Sequence, residues 1–203
     1  MNISRRSDSS KDPDVADRMA GAVLALVAQT PGSTQRLSAR PAEAARGLAR
    51  QAASKAALAA GALALPPGPL GWLTVVPEMM TVWRIQAQLV ADVAALYGRS
   101  AELGQAQMLY CLFRHTAAQA LRDLAVRVGE RLLVRPLAAA SLGRVAAALG
   151  LQLSQRAVAK SVGRWVPLLG AAGVSAYAYY DTLKVAQAAQ ELFESESVIE
   201  NPA

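Results

Sequence analysis

A chain of 203 residues that is 53% hydrophobic is too apolar for a disordered protein and too short for two large cores. A single cysteine, Cys111, excludes an intrachain disulfide and a cysteine-built metal site, and the lone histidine, His115, leaves no familiar metal-ligand spacing. Net charge is +6 but is segregated, with 9 basic against 5 acidic residues over 1–55, 2 against 3 over 56–113, 9 against 2 over 114–164 and 1 against 5 over 165–203.

Residues 1–12 mix charges with serines and read as a disordered segment without a secretion signal, so the chain is expected to be cytoplasmic. A helix and linker follow over 13–40. Asp12 suits the cap, Pro13 the first turn, and Val15, Met19, Val23, Leu26 and Val27 recur at helical spacing before Thr30-Pro31-Gly32-Ser33 stops the run. Pro41 opens a second helix, with Glu43 in its first turn, that ends at Pro66-Pro67-Gly68-Pro69. After the apolar stretch 70–76, Pro77 is expected to begin a third helix through Ile85, Leu89 and Val93, terminated by Gly98. A further helical region is expected from Ala101 towards Arg135, weakened at Gly104 and Gly129 and bounded by Pro136. A fifth helix covers roughly 137–164, with a break near Gly150. The last is expected from about Gly173 to Phe193, with 196–203 a disordered acidic tail.

No stretch alternates strictly enough to demand a strand. The expectation is an all-α protein: a single compact multi-helix bundle whose apolar hairpins are broken by proline and glycine, its main domain spanning 41–195. Alanine dominates the apolar content, and alanine both favours helix and lets helices approach closely.

Two uncharged runs stand out. Residues 56–77 give 22 positions without a charge, numerically enough to cross a bilayer, but the proline–glycine cluster in the middle breaks the hydrogen-bond ladder where lipid tolerates it least. A buried turn or a shallow interfacial insertion absorbs that break better than a straight span does. Trp165 to Tyr180 give 16 more uncharged residues, and Trp72 and Trp165 suit either a lipid interface or helix-end packing. Arg127, Arg131 and Arg135 are spaced four apart, as are Arg156, Lys160 and Arg164, so each trio lies on one helical face. Such stripes meet anionic lipid, a partner or simply solvent. Nucleic acid is not expected, because no zinc finger, glycine-rich RNA loop or aromatic-interleaved basic patch accompanies the charge.

Chemistry is harder to find. Cys111 and His115 are four apart and share a helical face, but sequence identifies neither an orienting acid nor an oxyanion site. Neither a Walker loop nor a dinucleotide-binding glycine pattern is present, and no catalytic residue, cofactor or metal is assigned. Glu78, Arg84, Asp92 and Asp181 are charges beside apolar helical faces and read as members of structural ion pairs. Glu78 and Asp92 return to nearly one side of a helix but stand about 21 Å apart along it, too far for a catalytic pair.

Three regions resemble the EcsC family, named for a bacterial protein encoded beside an ABC transporter. They are the run Ala56 to Gly71; Pro77-Glu78 followed by Ile85, Gln88, Leu89, Val93, Ala94 and Leu96-Tyr97-Gly98; and Val166-Pro167-Leu168-Leu169-Gly170-Ala171 followed by Ala186, Ala189 and Phe193. The resemblance covers roughly 45–195. The family more often has aspartate at the position of Glu78 and asparagine at that of Asp181. What the resemblance implies is a bacterial helical protein associated with a membrane or transporter, with no catalytic residues to carry over.

The expected function is therefore a noncatalytic helical module at the cytoplasmic face of the inner membrane, its partner an anionic lipid or a membrane protein. Contacts would come from Trp72, Trp165 and the two basic trios. The alternative is a soluble adaptor, or a carrier whose helices enclose a small apolar ligand between residues 56 and 97.

Overall fold

Small side chains decide how near two helices come, and here they set the architecture. A computed structural model describes residues 11–63, 71–115, 139–161 and 167–200. Among these are six α-helices and one short 3-10 turn, with no strand: α1 (Lys11–Ala28), α2 (Pro41–Leu63), α3 (Gly71–Leu96), the 3-10 turn (Ser100–Glu102), α4 (Gln105–Phe113), α5 (Ala139–Ser161) and α6 (Pro167–Glu200). The all-α bundle expected from sequence is what forms.

The central element is α3, which packs against α1, α2, α4 and α6. Its C-terminal half is buried around its circumference, through Trp83, Ala87, Leu89, Val90, Ala91, Val93 and Leu96. A helix surrounded by others needs apolar residues on every side. Trp83 meets Phe113 of α4 edge to face, with ring centroids 5.3 Å apart at 85°. Around this pair the core draws Met19, Val23 and Val27 from α1, Met108, Leu109 and Leu112 from α4, Leu149 from α5 and Val185 and Phe193 from α6. Each large side chain buried in this way contributes about 1.5–3 kcal/mol relative to exposure.

Two pairings depend on small residues. The stripe Ala45, Ala49, Ala53, Ala56 and Ala60 on α2 is buried against α6. Near its end, a Cβ added to Gly61 would strike the Ser175 side chain. On the other side of the bundle α1 packs on α5. A Cβ on Gly150 would collide with the Ala16 carbonyl oxygen and lie 2.9 Å from the Ala20 amide nitrogen, so only glycine permits this crossing as it stands.

The connection between α1 and α2 runs along α3 and is bonded to it. Gln88 Nε2 donates to the Gly32 carbonyl (2.9 Å), Ser33 Oγ donates to Asp92 Oδ1 (2.6 Å), and the Ser38 amide donates to the Leu96 carbonyl (3.0 Å). At the end of α3 the amides of Gly98 and Arg99 donate to the carbonyls of Ala95 (3.0 Å) and Ala94 (2.7 Å), while Gly98 has φ +73°. That is a Schellman cap, whose left-handed residue is best served by glycine.

Several expected boundaries move. The third helix starts at Gly71 rather than Pro77, which sits inside it and forgoes one backbone hydrogen bond. The helical region expected to run on from Ala101 is interrupted at once. A 3-10 turn ends at Glu102, and Gly104 is the extended N-cap of the short α4, its amide donating to Gln107 Oε1 (3.2 Å). Residues 116–138, including Pro136, lie outside the described residues. Gly150 does not break α5. The last helix begins at Pro167, a residue suited to the first helical turn, and runs through Gly170 and Gly173 without interruption.

Candidate functional site

The two uncharged runs of the sequence come together in space. The last turns of α2 lie against the first half of α6, where Ala56, Ala60 and Ala178 form a small buried cluster flanked by Val174 and by Val82 and Ile85 of α3. Around that cluster, large apolar and aromatic side chains face outwards: Leu58 is 75% exposed, Tyr180 66% and Tyr177 46%, with Leu63 also exposed. Several large apolar and aromatic side chains at this end of the α2–α6 pair are thus exposed around its alanine packing. Among the described residues no helix is long and apolar enough to cross a membrane.

Immediately below this end is a buried polar node. His115, just past the end of α4, places Nε2 2.8 Å from Asp181 Oδ1 on α6. Gln86 of α3 donates from Nε2 to Asp181 Oδ2 (2.8 Å) and to Thr182 Oγ1 (3.1 Å), and Thr182 Oγ1 donates to the Ala178 carbonyl (2.8 Å). Burial alone would raise the Asp181 carboxyl; hydrogen bonds from His115, Gln86 and Tyr177, with the charge of His115, outweigh it and hold the group below the ordinary carboxylate value. His115 Nδ1 is buried without a hydrogen-bond partner. The node ties α3, α4 and α6 together.

Asp181 supplies the orienting acid that sequence alone does not assign to His115. Its one legible signal is that it is the first charge after the 16 uncharged residues from Trp165, and a charge on a buried helix face must find a partner. Cys111 is completely buried, and the groove described next reaches neither it nor His115.

A second polar region lies farther along α2 and α6, where the two helices border a groove of about 810 Å³. Arg46 and Arg50 stand on the α2 side, Gln190 and Glu194 on the α6 side, and Ala49 and Ala186 between them. Glu191, also at the groove, is hydrogen-bonded by Arg114 and by Gln187 (2.9 Å). The Arg114 bond holds the Glu191 carboxyl below its ordinary value, and Arg114 itself lies over the Tyr110 ring, 5.4 Å from the centroid. Tyr97 has a buried hydroxyl without a partner; burial first, then Glu194, push its phenol above the usual range, with Arg46 opposing.

Of the residues singled out from sequence, Asp181 enters the buried node, and Asp92 is bonded by the neutral groups of Ser33 and Gln88 (3.0 Å). Arg84 is exposed. Trp72, Glu78, Arg156 and Lys160 fall within the helical spans of α3 and α5, but their side chains lie outside what is described. Arg127, Arg131, Arg135, Arg164 and Trp165 lie outside the described residues altogether. Among the described residues no group of three or more histidine, cysteine or acidic side chains is placed to hold a metal ion.

The fold of the described residues is an all-α, multi-helix bundle. Comparison with family models, with curated proteins and with solved structures finds no match to this chain.

Proposed function

We propose that the chain is a noncatalytic helical module that associates peripherally with the cytoplasmic face of a membrane through its uncharged end, in keeping with its resemblance to the EcsC family. The observation that carries this reading is the meeting of two uncharged sequence runs at one end of the α2–α6 pair, where Leu58, Tyr177 and Tyr180 are each exposed. Aliphatic tips beside amphipathic aromatic rings match the boundary between acyl chains and headgroups, where a tyrosine keeps its ring in lipid and its hydroxyl in water. The insertion is shallow, since the buried Asp181 node lies directly behind this surface. The basic trios Arg127, Arg131, Arg135 and Arg156, Lys160, Arg164 supply attraction to anionic headgroups, each charge near such a surface contributing about 1 kcal/mol.

Co-sedimentation of the protein with vesicles tests this. Binding is expected to anionic more than to neutral vesicles, to weaken with salt, and to fall sharply in the double variant Leu58→Glu/Tyr180→Glu. Equal binding by that variant removes the uncharged end as the contact. No binding by the parent protein removes the lipid surface as the partner.

A further inference from the structure

The groove between α2 and α6 holds two cations that neither the fold nor the proposed membrane contact consumes. Its volume of about 810 Å³ falls within the range of small-molecule sites, and the residues between its walls, Ala49 and Ala186, are small enough to leave that space. Gly61 lies against Ser175 while Ala49 and Ala186 share the groove, so α2 and α6 run antiparallel. In that register Arg50 is level with Ala186, and Glu194 stands about 12 Å farther along the axis, at the end of the groove away from the uncharged surface.

Every carboxylate of the groove has a partner of its own. Arg40 pairs with Glu43 at 3.1 Å, Arg114 at the end of α4 pairs with Glu191, and Glu194 is engaged as well. The side-chain amides are also committed as donors. Gln187 donates from Nε2 to Glu191 (2.9 Å) and Gln190 donates to the Ala186 carbonyl (3.3 Å), which leaves their side-chain oxygens to accept. The arginines differ. Arg46 commits only its Nε, to the Ala42 carbonyl (3.2 Å), and Arg50 enters no hydrogen bond or ion pair among the described residues. The two are one helical turn apart, a spacing at which two guanidinium groups reach one anion.

We propose that this groove is a binding site for a small phosphate monoester of sugar-phosphate size, its phosphate held by Arg46 and Arg50 and its hydroxyls donating to Gln187 and Gln190. Two guanidinium groups balance the nearly two negative charges of a phosphate monoester, whereas a single carboxylate leaves one cation unmatched. A hydroxyl-bearing body fits the α6 wall because what that wall has left to offer is acceptors.

Glucose 6-phosphate is the direct probe, with glucose and inorganic phosphate as its two halves. Backbone resonances are followed during titration of the parent protein, of Arg46→Gln/Arg50→Gln and of the control Arg84→Gln. All three arginines are exposed, so their replacement leaves the fold intact, and the spectrum itself reports that. Glucose 6-phosphate is expected to shift the resonances of Ala49, Arg50, Ala186 and Gln187 and to bind more tightly than inorganic phosphate, while glucose shifts none of them. The double variant is expected to bind it about tenfold or more weakly, the usual cost of losing a hydrogen bond to a charged group, and Arg84→Gln to bind it as the parent does. Absence of shifts at these positions, affinity no better than that of inorganic phosphate, unchanged affinity in the double variant, or an equal loss in Arg84→Gln each overturns the assignment. The double variant also separates a soluble phosphate from the phosphate of a lipid headgroup. Its co-sedimentation with anionic vesicles is expected to match the parent's, and a loss there would overturn a site for a soluble ligand.

Discussion

Replacing Gly150 by alanine tests the bundle's packing most sharply, because two opposing effects can be separated. Alanine in a helix interior is favoured over glycine by about 1 kcal/mol. At Gly150, however, the new methyl runs into the Ala16 carbonyl oxygen and the Ala20 amide nitrogen of α1, and backbone atoms cannot rotate away as a side chain does. The α1–α5 pair must separate by roughly an ångström, a gap that forfeits a quarter to a half of the dispersion energy of each facing contact. Met19 and Val23 on α1 and Ala146, Leu149 and Leu153 on α5 lie in the core beside this crossing. Overpacking of this kind costs about 1–3 kcal/mol; taken near its upper end and set against the propensity gain, it leaves a net loss of about 2 kcal/mol. For a chain of this size that lowers Tm by about 4–8 °C. Gly143 supplies the internal control: it lies on the same helix, and a Cβ there meets nothing within 4 Å. Thermal and urea unfolding of both variants is the assay, with Gly143→Ala neutral or stabilising by up to about 1 kcal/mol. Equal stabilisation by the two substitutions would refute a backbone-limited α1–α5 crossing.

The buried node gives a second expectation: Asp181→Ala removes the partner of His115, leaves Gln86 bonded only to Thr182, and lowers stability at neutral pH by about 3 kcal/mol, read from urea midpoints. Because the Asp181 carboxyl is held below its ordinary value in the fold, its contribution is complete above the ordinary carboxylate pKa and is lost as pH falls towards the folded value. Stability of Asp181→Asn therefore falls less steeply below about pH 4 than that of the parent, and parallel curves would exclude Asp181 from acid unfolding. The bond between Ser33 and Asp92 pins the α1–α2 connection, so Ser33→Ala is expected to cost about 1 kcal/mol and to speed hydrogen exchange at Ser38 and its neighbours. Unchanged exchange there would mean that the remaining bonds to Gly32 and Leu96 hold the segment alone.

Much of the fold was legible because helical periodicity and the strongest breakers act locally. Met19, Val23, Leu26 and Val27 repeat at helical spacing and are all buried; Gly98 stops α3 through the left-handed cap that glycine favours. The misplaced boundaries share a cause. Pro77 and Gly173 suggest helix starts in the sequence, whereas a proline or glycine inside a helix costs a limited amount that packing or continuation of the helix offsets. Pro167 could equally have been taken as a first-turn residue, and that is where α6 begins. The candidate sites were legible only in part. Two uncharged runs were plain in the sequence, but their meeting through Gly61 and Ser175 depends on how α2 and α6 pair. His115 and Asp181 are 66 positions apart and belong to different elements, so only tertiary structure joins them. The groove is still less visible, because it combines ordinary surface charges with two alanines whose significance is the space they leave.

The central claim is that the uncharged end is the membrane-facing surface. It is tested most directly with an environment-sensitive fluorophore attached through a new cysteine at Leu58, Tyr180 or Arg50 in turn, with quenchers carried on the lipid acyl chains. The native Cys111 is fully buried and stays unlabelled. With anionic vesicles, labels at positions 58 and 180 are expected to be quenched and blue-shifted, while the label at position 50 remains in water. Quenching at position 50 equal to that at 58 and 180, or quenching at none of the three, would contradict the account.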